Sequence, residues 1–233
     1  MRVELKGIKK IYHDKVVLDI SSLGLEKGKI YAVLGPNGSG KTTLLKILSG
    51  IEKASEGLVH YLDMEMLQEK QIAYMPQKVY MFDLTVLENT VLGLKERKIC
   101  GTEAEKLAME ALEQVGMNSF SRKKARCLSG GEAQRVALAR TLALGKELVL
   151  LDEPASATDI AGVDLVEKYI CCVNEKNGST IVFTTHNPSQ AARIADEVII
   201  MSGGRVVEKG KPSMVFNSPQ NQETRDFLKS WRI

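Results

Sequence analysis

Aromatic residues are scarce, 5% of a chain of 233, and cysteines scarcer still: four, at Cys100, Cys127, Cys171 and Cys172, with no C-x-x-C pair among them. A disulfide scaffold is excluded, and a reduced, cytoplasmic protein is expected. A surplus of one charge is missing as well. Lys and Arg total 32 against 29 for Asp and Glu, and a net +3 gives no electrostatic reason to expect nucleic acid or anionic lipid as a partner. No stretch approaches the ~18 apolar residues of a membrane-spanning helix, and Met1-Arg2-Val3-Glu4-Leu5 lacks the apolar core of a secretory signal. If the chain works at a membrane, another chain is expected to supply the span. What is present is 44% hydrophobic and 26% charged residues, the balance of a folded protein of one large or two small domains rather than of a disordered or collagen-like one.

Apolar runs rich in Val, Ile and Leu recur at Val16 to Ile20, Ile30 to Leu34, Leu148 to Leu151, Ile181 to Thr184 and Val198 to Met201. They are continuous rather than alternating, which predicts strands buried on both faces, as in a mostly parallel sheet. From Ala104, apolar Leu107, Ala108, Ala111, Leu112 and Val115 fall at helical spacing, with Glu103, Glu105, Glu110 and Glu113 in the remaining positions. That is an amphipathic helix, and Gly116 closes it. Residues 78 to about 128 hold no convincing parallel strand although both flanks do. A helical insertion is therefore expected there, splitting an α/β core into segments 1–77 and 129–233. The C-terminal stretch, with Pro212, Pro219 and a Gln/Asn-rich turn, reads as a peripheral tail.

Directly after Ile30 to Leu34 comes Gly35-Pro36-Asn37-Gly38-Ser39-Gly40-Lys41-Thr42, a complete G-x-x-x-x-G-K-[ST] pattern. The glycines permit a tight turn whose backbone N–H groups face phosphate oxygens, and a helix starting near Lys41 adds its positive end. Lys41 is placed to reach β- and γ-phosphates, and the Thr42 hydroxyl is a hard oxygen ligand suited to Mg²⁺. Strand, loop and helix in this order point to nucleotide binding. Leu148-Val149-Leu150-Leu151 runs straight into Asp152-Glu153-Pro154. A carboxylate at the carboxyl end of a parallel strand lies beside the phosphate loop, where open α/β sheets bind their ligands. Asp152 is the candidate holder of Mg²⁺, directly or through water, and Glu153 the candidate group that polarises the attacking water. Taken alone, such a pair is equally a solvated strand end.

Leu128-Ser129-Gly130-Gly131-Glu132-Ala133-Gln134-Arg135 places Ser129 and two glycines at the start of an expected helix, Glu132 to Leu144. Its free N–H groups can receive an anion, although a second phosphate-binding helix start looks redundant in one chain. This segment resembles the signature sequence of the ATP-binding cassette (ABC) ATPases, in which it closes over the nucleotide held by a partner subunit's phosphate loop. Further positions match that family in order. Tyr12 lies where an aromatic residue stacks on adenine, Gln77 matches the glutamine that joins the core to the insertion, and His186 matches the switch histidine at the γ-phosphate. Asp159 matches the loop that crosses the dimer interface, where Thr158 replaces the family's common leucine. Val198 to Met201 and Arg205 to Lys209 look like the family's final hairpin.

The resemblance implies an α/β fold: a P-loop NTPase (RecA-like) core with a mostly parallel sheet, an antiparallel β subdomain and an inserted α-helical subdomain. It implies ATP and Mg²⁺ as cofactors. ATP contacts then fall to Tyr12, to Gly35, Pro36, Asn37, Gly38, Ser39, Gly40, Lys41, Thr42 and Thr43, and from the other copy to Ser129, Gly130, Gly131 and Asp159. Thr42, Gln77 and Asp152 are the implied metal residues, and Glu153, His186, Lys41 and Gln77 the catalytic ones. Two copies are expected to pack head to tail at the cytoplasmic face of the membrane, driving a transmembrane permease that is served by an extracytoplasmic substrate-binding protein. Val79 to Val86 is the candidate contact with the permease, or else packing of the insertion on the core. Compact length and the sequence from Phe216 to Leu228 are similar to ATPases of importers, for tungstate or a related oxyanion first, and for phosphate or polar amino acids as the alternative. A non-transport cassette ATPase is the third reading.

Overall fold

The computed structural model describes residues 1–62, 71–96 and 98–231. The first strands, β1 (Arg2–Tyr12) and β2 (Lys15–Leu25), form a hairpin whose turn residues His13 and Asp14 both have positive φ, the geometry of tight hairpin turns. With β4 (Glu56–Leu62) they make an antiparallel sheet of order β2-β1-β4. The second sheet has the order β5-β6-β7-β3-β8-β9. Its strands are β3 (Ile30–Leu34), β5 (Ile72–Met75), β6 (Leu148–Leu151), β7 (Thr180–Thr184), β8 (Glu197–Ser202) and β9 (Arg205–Gly210). All neighbours in it are parallel except the final β8–β9 hairpin.

Continuous apolarity in the central strands follows from burial on both faces. In β3, Ile30, Ala32 and Leu34 enter one core and Tyr31 and Val33 the other; in β6, Val149 and Leu151 part from Leu148 and Leu150 in the same way. One core lies under helices α2 (Val86–Glu96), α3 (Gly101–Gln114), α4 (Gly130–Leu142), α5 (Ile160–Asn177) and α6 (Pro188–Ile194). The other is closed by the antiparallel sheet and α1 (Lys41–Leu48). The strand β2 is also tied to the loop of the β8–β9 hairpin, by a hydrogen bond from Asp19 N to Gly204 O of 2.9 Å.

Two expectations need correction. Val16 to Ile20 is not a strand of the parallel sheet; it belongs to β2, where burial alternates, Leu18 and Ile20 being buried and Asp19 exposed. Its apolar run faces a core on one side only. The C-terminal stretch is not a tail either. It folds into α7 (Pro212–Asn217) and α8 (Gln222–Lys229), anchored by Val215 and Leu228, which are 2% and 3% exposed. Between residues 78 and 128 the described structure is α2, α3 and two short 3₁₀ turns, with Leu94 packed on Ala104 and Ala108.

Candidate nucleotide site

The phosphate loop leaves the carboxyl end of β3, between β7 and β8, and ends at Gly40, the N-cap of α1. Gly40 has φ +99°, and a Cβ there would stand 2.5 Å from a methyl carbon of Leu18 and 3.1 Å from Val17 O. Only glycine satisfies both the left-handed backbone and the close approach of β2. Lys41 is 7% exposed, and its Nζ donates to Gly35 O at 2.9 Å and to Pro36 O at 3.0 Å. Burial pushes its ammonium down from the ordinary lysine value, while Glu153 and Asp152 oppose that shift. Gly38, Gly40, Lys41, Thr42, Gln77 and Glu153 are among the walls of one cleft of about 240 Å³, with Asn37 and Thr43 at its side. Tyr12 stands apart at the end of β1, 37% exposed.

Asp152 and Glu153 follow β6 as the sequence suggests, and the structure adds how they are held. Thr184, the last residue of β7, donates from Oγ1 to Asp152 Oδ1 at 2.6 Å and accepts from Glu153 N at 2.8 Å. Glu153 has φ +51°, an uncommon conformation for a side-chain-bearing residue and one that clusters at functional sites. Its carbonyl accepts from Gln134 Nε2 at 2.6 Å and from Ser156 Oγ at 3.1 Å. Its carboxylate takes Gln77 Nε2 at 2.9 Å on Oε2 and lies 2.5 Å from His186 Nε2 on Oε1. Residues far apart in sequence thus converge on this one carboxylate.

Asp152 Oδ2 and Ser39 Oγ are buried without a hydrogen-bond partner. Buried polar atoms are ordinarily satisfied, and these two stand in the neighbourhood that a metal-bound triphosphate would fill. The donor set fits Mg²⁺, which takes one or two protein oxygens and completes its shell with phosphate and water. No group of three or more His, Cys, Asp or Glu that could hold a metal ion by itself occurs among the described residues.

The signature residues lie elsewhere. Ser129, Gly130, Gly131 and Asp159 line a separate pocket of about 470 Å³, which shares no wall residue with the phosphate-loop cleft. Ser129 caps α4 through a capping box, its Oγ accepting from Glu132 N at 3.3 Å while Ser129 N donates to Glu132 Oε2 at 2.7 Å. A Cβ on Gly131 would stand 2.5 Å from Ala157 O, so this helix start presses on the loop after Glu153. Asp159 caps α5, its Oδ1 accepting from Gly162 N at 2.9 Å. Thr158, the departure from the family pattern, donates to Ala155 O at 2.8 Å and so is held within its own turn.

Gln134 and Thr184 were not singled out from sequence. Each carries a faint signal, a polar residue that the helical or strand pattern places among apolar neighbours. Both are buried, at 2% and 0% exposure, with their polar atoms spent on the Asp152–Glu153 turn.

Comparison with known proteins agrees with this geometry. The ABC transporter family model matches residues 18–156. The tungstate uptake system ATP-binding protein of Peptoclostridium acidaminophilum is 41% identical over 209 residues, 89% of this chain and 98% of that protein. The sulfate/thiosulfate import ATP-binding protein of Brucella melitensis is 34% identical over 98% of this chain and 66% of its own length. The spermidine/putrescine import ATP-binding protein of Bacteroides fragilis is also 34% identical, over 97% of this chain, which spans half of that relative. A solved dimeric ATP-binding cassette in a post-hydrolysis state, bound to ADP and Pi, superposes with a TM-score of 0.82 at 29% identity, covering 90% of this chain and 98% of that one. A phosphate loop at the end of the central strand, a paired Asp152–Glu153 turn and a signature segment in a pocket of its own, together with these matches, establish that the chain belongs to the ABC transporter family and is an ATP-hydrolysing cassette of it.

Proposed function

We propose that two copies of this chain pack head to tail and power a membrane importer, with tungstate or a related oxyanion as cargo. The observation that carries the two-copy reading is the separation of the signature pocket from the phosphate-loop cleft within one chain. Each half is incomplete, and a rotated second copy brings Ser129, Gly130 and Gly131 to the nucleotide on Lys41 and Thr42. Asp159 then lies at the crossing point of the two chains.

In the closed pair, Lys41 leaves the carbonyls of Gly35 and Pro36 for the β- and γ-phosphates. Backbone amides of Gly38, Ser39 and Gly40 cradle the phosphates, and Tyr12 receives the adenine. Thr42 and Asp152, with Gln77 nearby, would hold Mg²⁺, which would supply positive charge against the phosphates. Glu153 orients the attacking water and accepts its proton as the bond to γ-phosphorus forms and ADP leaves. His186, already against Glu153, reaches the γ-phosphate. Cleavage removes the group that bridges the two copies, and the pair reopens.

The segment 78–128 serves in this reading as the helical insertion that receives the permease. Val79 and Met81 pack against the core, whereas Tyr80 and Phe82 point outward, 68% and 46% exposed, with their rings edge to face at 5.2 Å. Alternate residues of this stretch thus pack on the core and face outward, which leaves Tyr80 and Phe82 available for the proposed contact. Exposed aromatic anchors of this kind suit a protein contact. No helix among the described residues is long and apolar enough to cross a membrane. In this reading the permease supplies the span, the chain sits peripherally at its cytoplasmic face, and an external binding protein is an indirect partner.

The cargo reading rests on the extent and identity of the match to the tungstate protein, and the sulfate match falls in the same oxyanion class. It is tested by reconstituting the chain with its permease and binding protein and measuring ATP hydrolysis. Tungstate stimulation exceeding that by sulfate and spermidine supports the reading; stimulation by spermidine alone replaces it.

A further inference from the structure

Tyr12 is not a loose aromatic side chain. Its hydroxyl donates to Glu52 Oε1, and the same carboxylate oxygen pairs with Lys10 Nζ at 3.0 Å. Lys10 Nζ also donates to Lys53 O at 2.8 Å and stands 4.9 Å from the centroid of the Tyr12 ring. Its side chain is only 14% exposed and that of Glu52 20%, so neither is a free surface charge. Partial burial, followed by the Glu52 carboxylate, pushes the Tyr12 hydroxyl up to about 12.

Glu52 is in turn fixed to the helix that grips phosphate. Its N–H donates to Lys46 O in the last turn of α1 at 3.1 Å. The same connecting segment is tied across the end of β1 by Ser55 N to Lys9 O at 2.7 Å and by Ile11 N to Ser55 Oγ at 3.1 Å. A continuous chain of contacts therefore runs from the phosphate loop, along α1, through Glu52 to the Tyr12 ring.

We propose that Glu52 and Lys10 are positioning residues for the nucleobase: Glu52 holds the ring by its hydroxyl, Lys10 occupies one face, and adenine stacks on the face that remains. This rests on the reading of Tyr12 as the base platform. Ordering a rotamer-rich side chain at the moment of binding weakens binding; here the ring is ordered beforehand, at a distance from the phosphate loop set by α1. Lys10 adds a cation–π contact, which leaves a single side for the base.

The test is calorimetric titration of the intact chain with Mg-ATP and, as a probe without a base, with Mg-tripolyphosphate. Tyr12→Ala weakens Mg-ATP about tenfold, the scale of one base–aromatic stack. Glu52→Ala weakens it about threefold to tenfold, the scale of one unordered side chain, and moves tripolyphosphate far less. Glu52→Gln, which keeps an acceptor for the hydroxyl, recovers most of the loss, and in ATPase assays Glu52→Ala raises KM rather than lowering kcat. Should Glu52→Ala weaken both ligands equally, or neither, the positioning role is overturned while the platform stands. Should Tyr12→Ala bind Mg-ATP as the parent does, the platform reading falls and the positioning role with it.

Discussion

The side-chain amide of Gln134, in the first turns of α4, donates to the backbone carbonyl of Glu153 at 2.6 Å. Its Oε1 accepts from Ala157 N at 2.8 Å, and its Nε2 also reaches Ser156 Oγ at 3.1 Å. The helix that begins at the Ser129 cap is thus bolted to the turn that carries Glu153. In the proposed dimer, a displacement of α4 by a closing partner would act through Gln134 on the turn that carries the candidate base.

Gln134→Ala removes all of these bonds at a buried position. Unfolding by denaturant is expected to show a loss of about 1–3 kcal/mol, the cost of leaving buried partners unsatisfied. ATP turnover should fall as well, with nucleotide binding less affected. A variant with unchanged stability would mean that the loop finds other partners.

Much of the site was legible before the structure because its motifs are local: β3 followed by glycines, β6 followed by Asp152, Ser129 ahead of Glu132. What escaped is long-range. The left-handed Glu153 is bonded by Thr184 and Gln134, 31 and 19 residues away, besides Ser156 of its own turn. The strand β1 was overlooked because Arg2, Glu4, Lys6, Lys9 and Lys10 break up its apolar positions, a pattern that belongs to a strand with one solvated face. The C-terminal helices are hard to read in the sequence because α8 buries only Thr224 and Leu228 and sets Phe227 half-buried against the core.

Glu153→Gln retains the shape of the side chain and loses the base. Hydrolysis is expected to drop by about 10²- to 10⁴-fold, the span of general-base contributions, while ATP remains bound. An ATP-dependent dimer should then accumulate on sizing chromatography. Turnover at the parent rate would remove Glu153 from its role.

Ser129→Arg, placed in one copy of a mixed dimer, is expected to damage the site formed by the other copy's Lys41. Combining it with a Lys41→Ala substitution in the same or in the opposite chain separates the cases. With both changes in one chain, both sites are damaged; with one change in each, a single site is hit twice and the other survives. The reverse pattern would mean that each chain completes its own site.

Glu132 gives a pH-dependent prediction. The hydrogen bond from Ser129 N, first among the causes, holds its carboxyl below the usual glutamate value. A carboxyl depressed in the folded state adds stability that is present above the ordinary value and is lost as pH falls through the lowered one. Thermal unfolding of the parent and of Glu132→Gln should therefore differ most near neutrality and converge in acid. The glutamine keeps the capping geometry, which confines the difference to the charge.

The bond from Asp19 N to Gly204 O stitches the antiparallel sheet to the loop of the final hairpin. Val17 and Leu18, the neighbours of Asp19, are the residues against which Gly40 is packed. The grip on phosphate thus leans on a strand that is itself pinned from near the far end of the polypeptide. A fragment ending after His186 would keep the candidate site residues and still lose, with the final hairpin, the brace behind its phosphate loop.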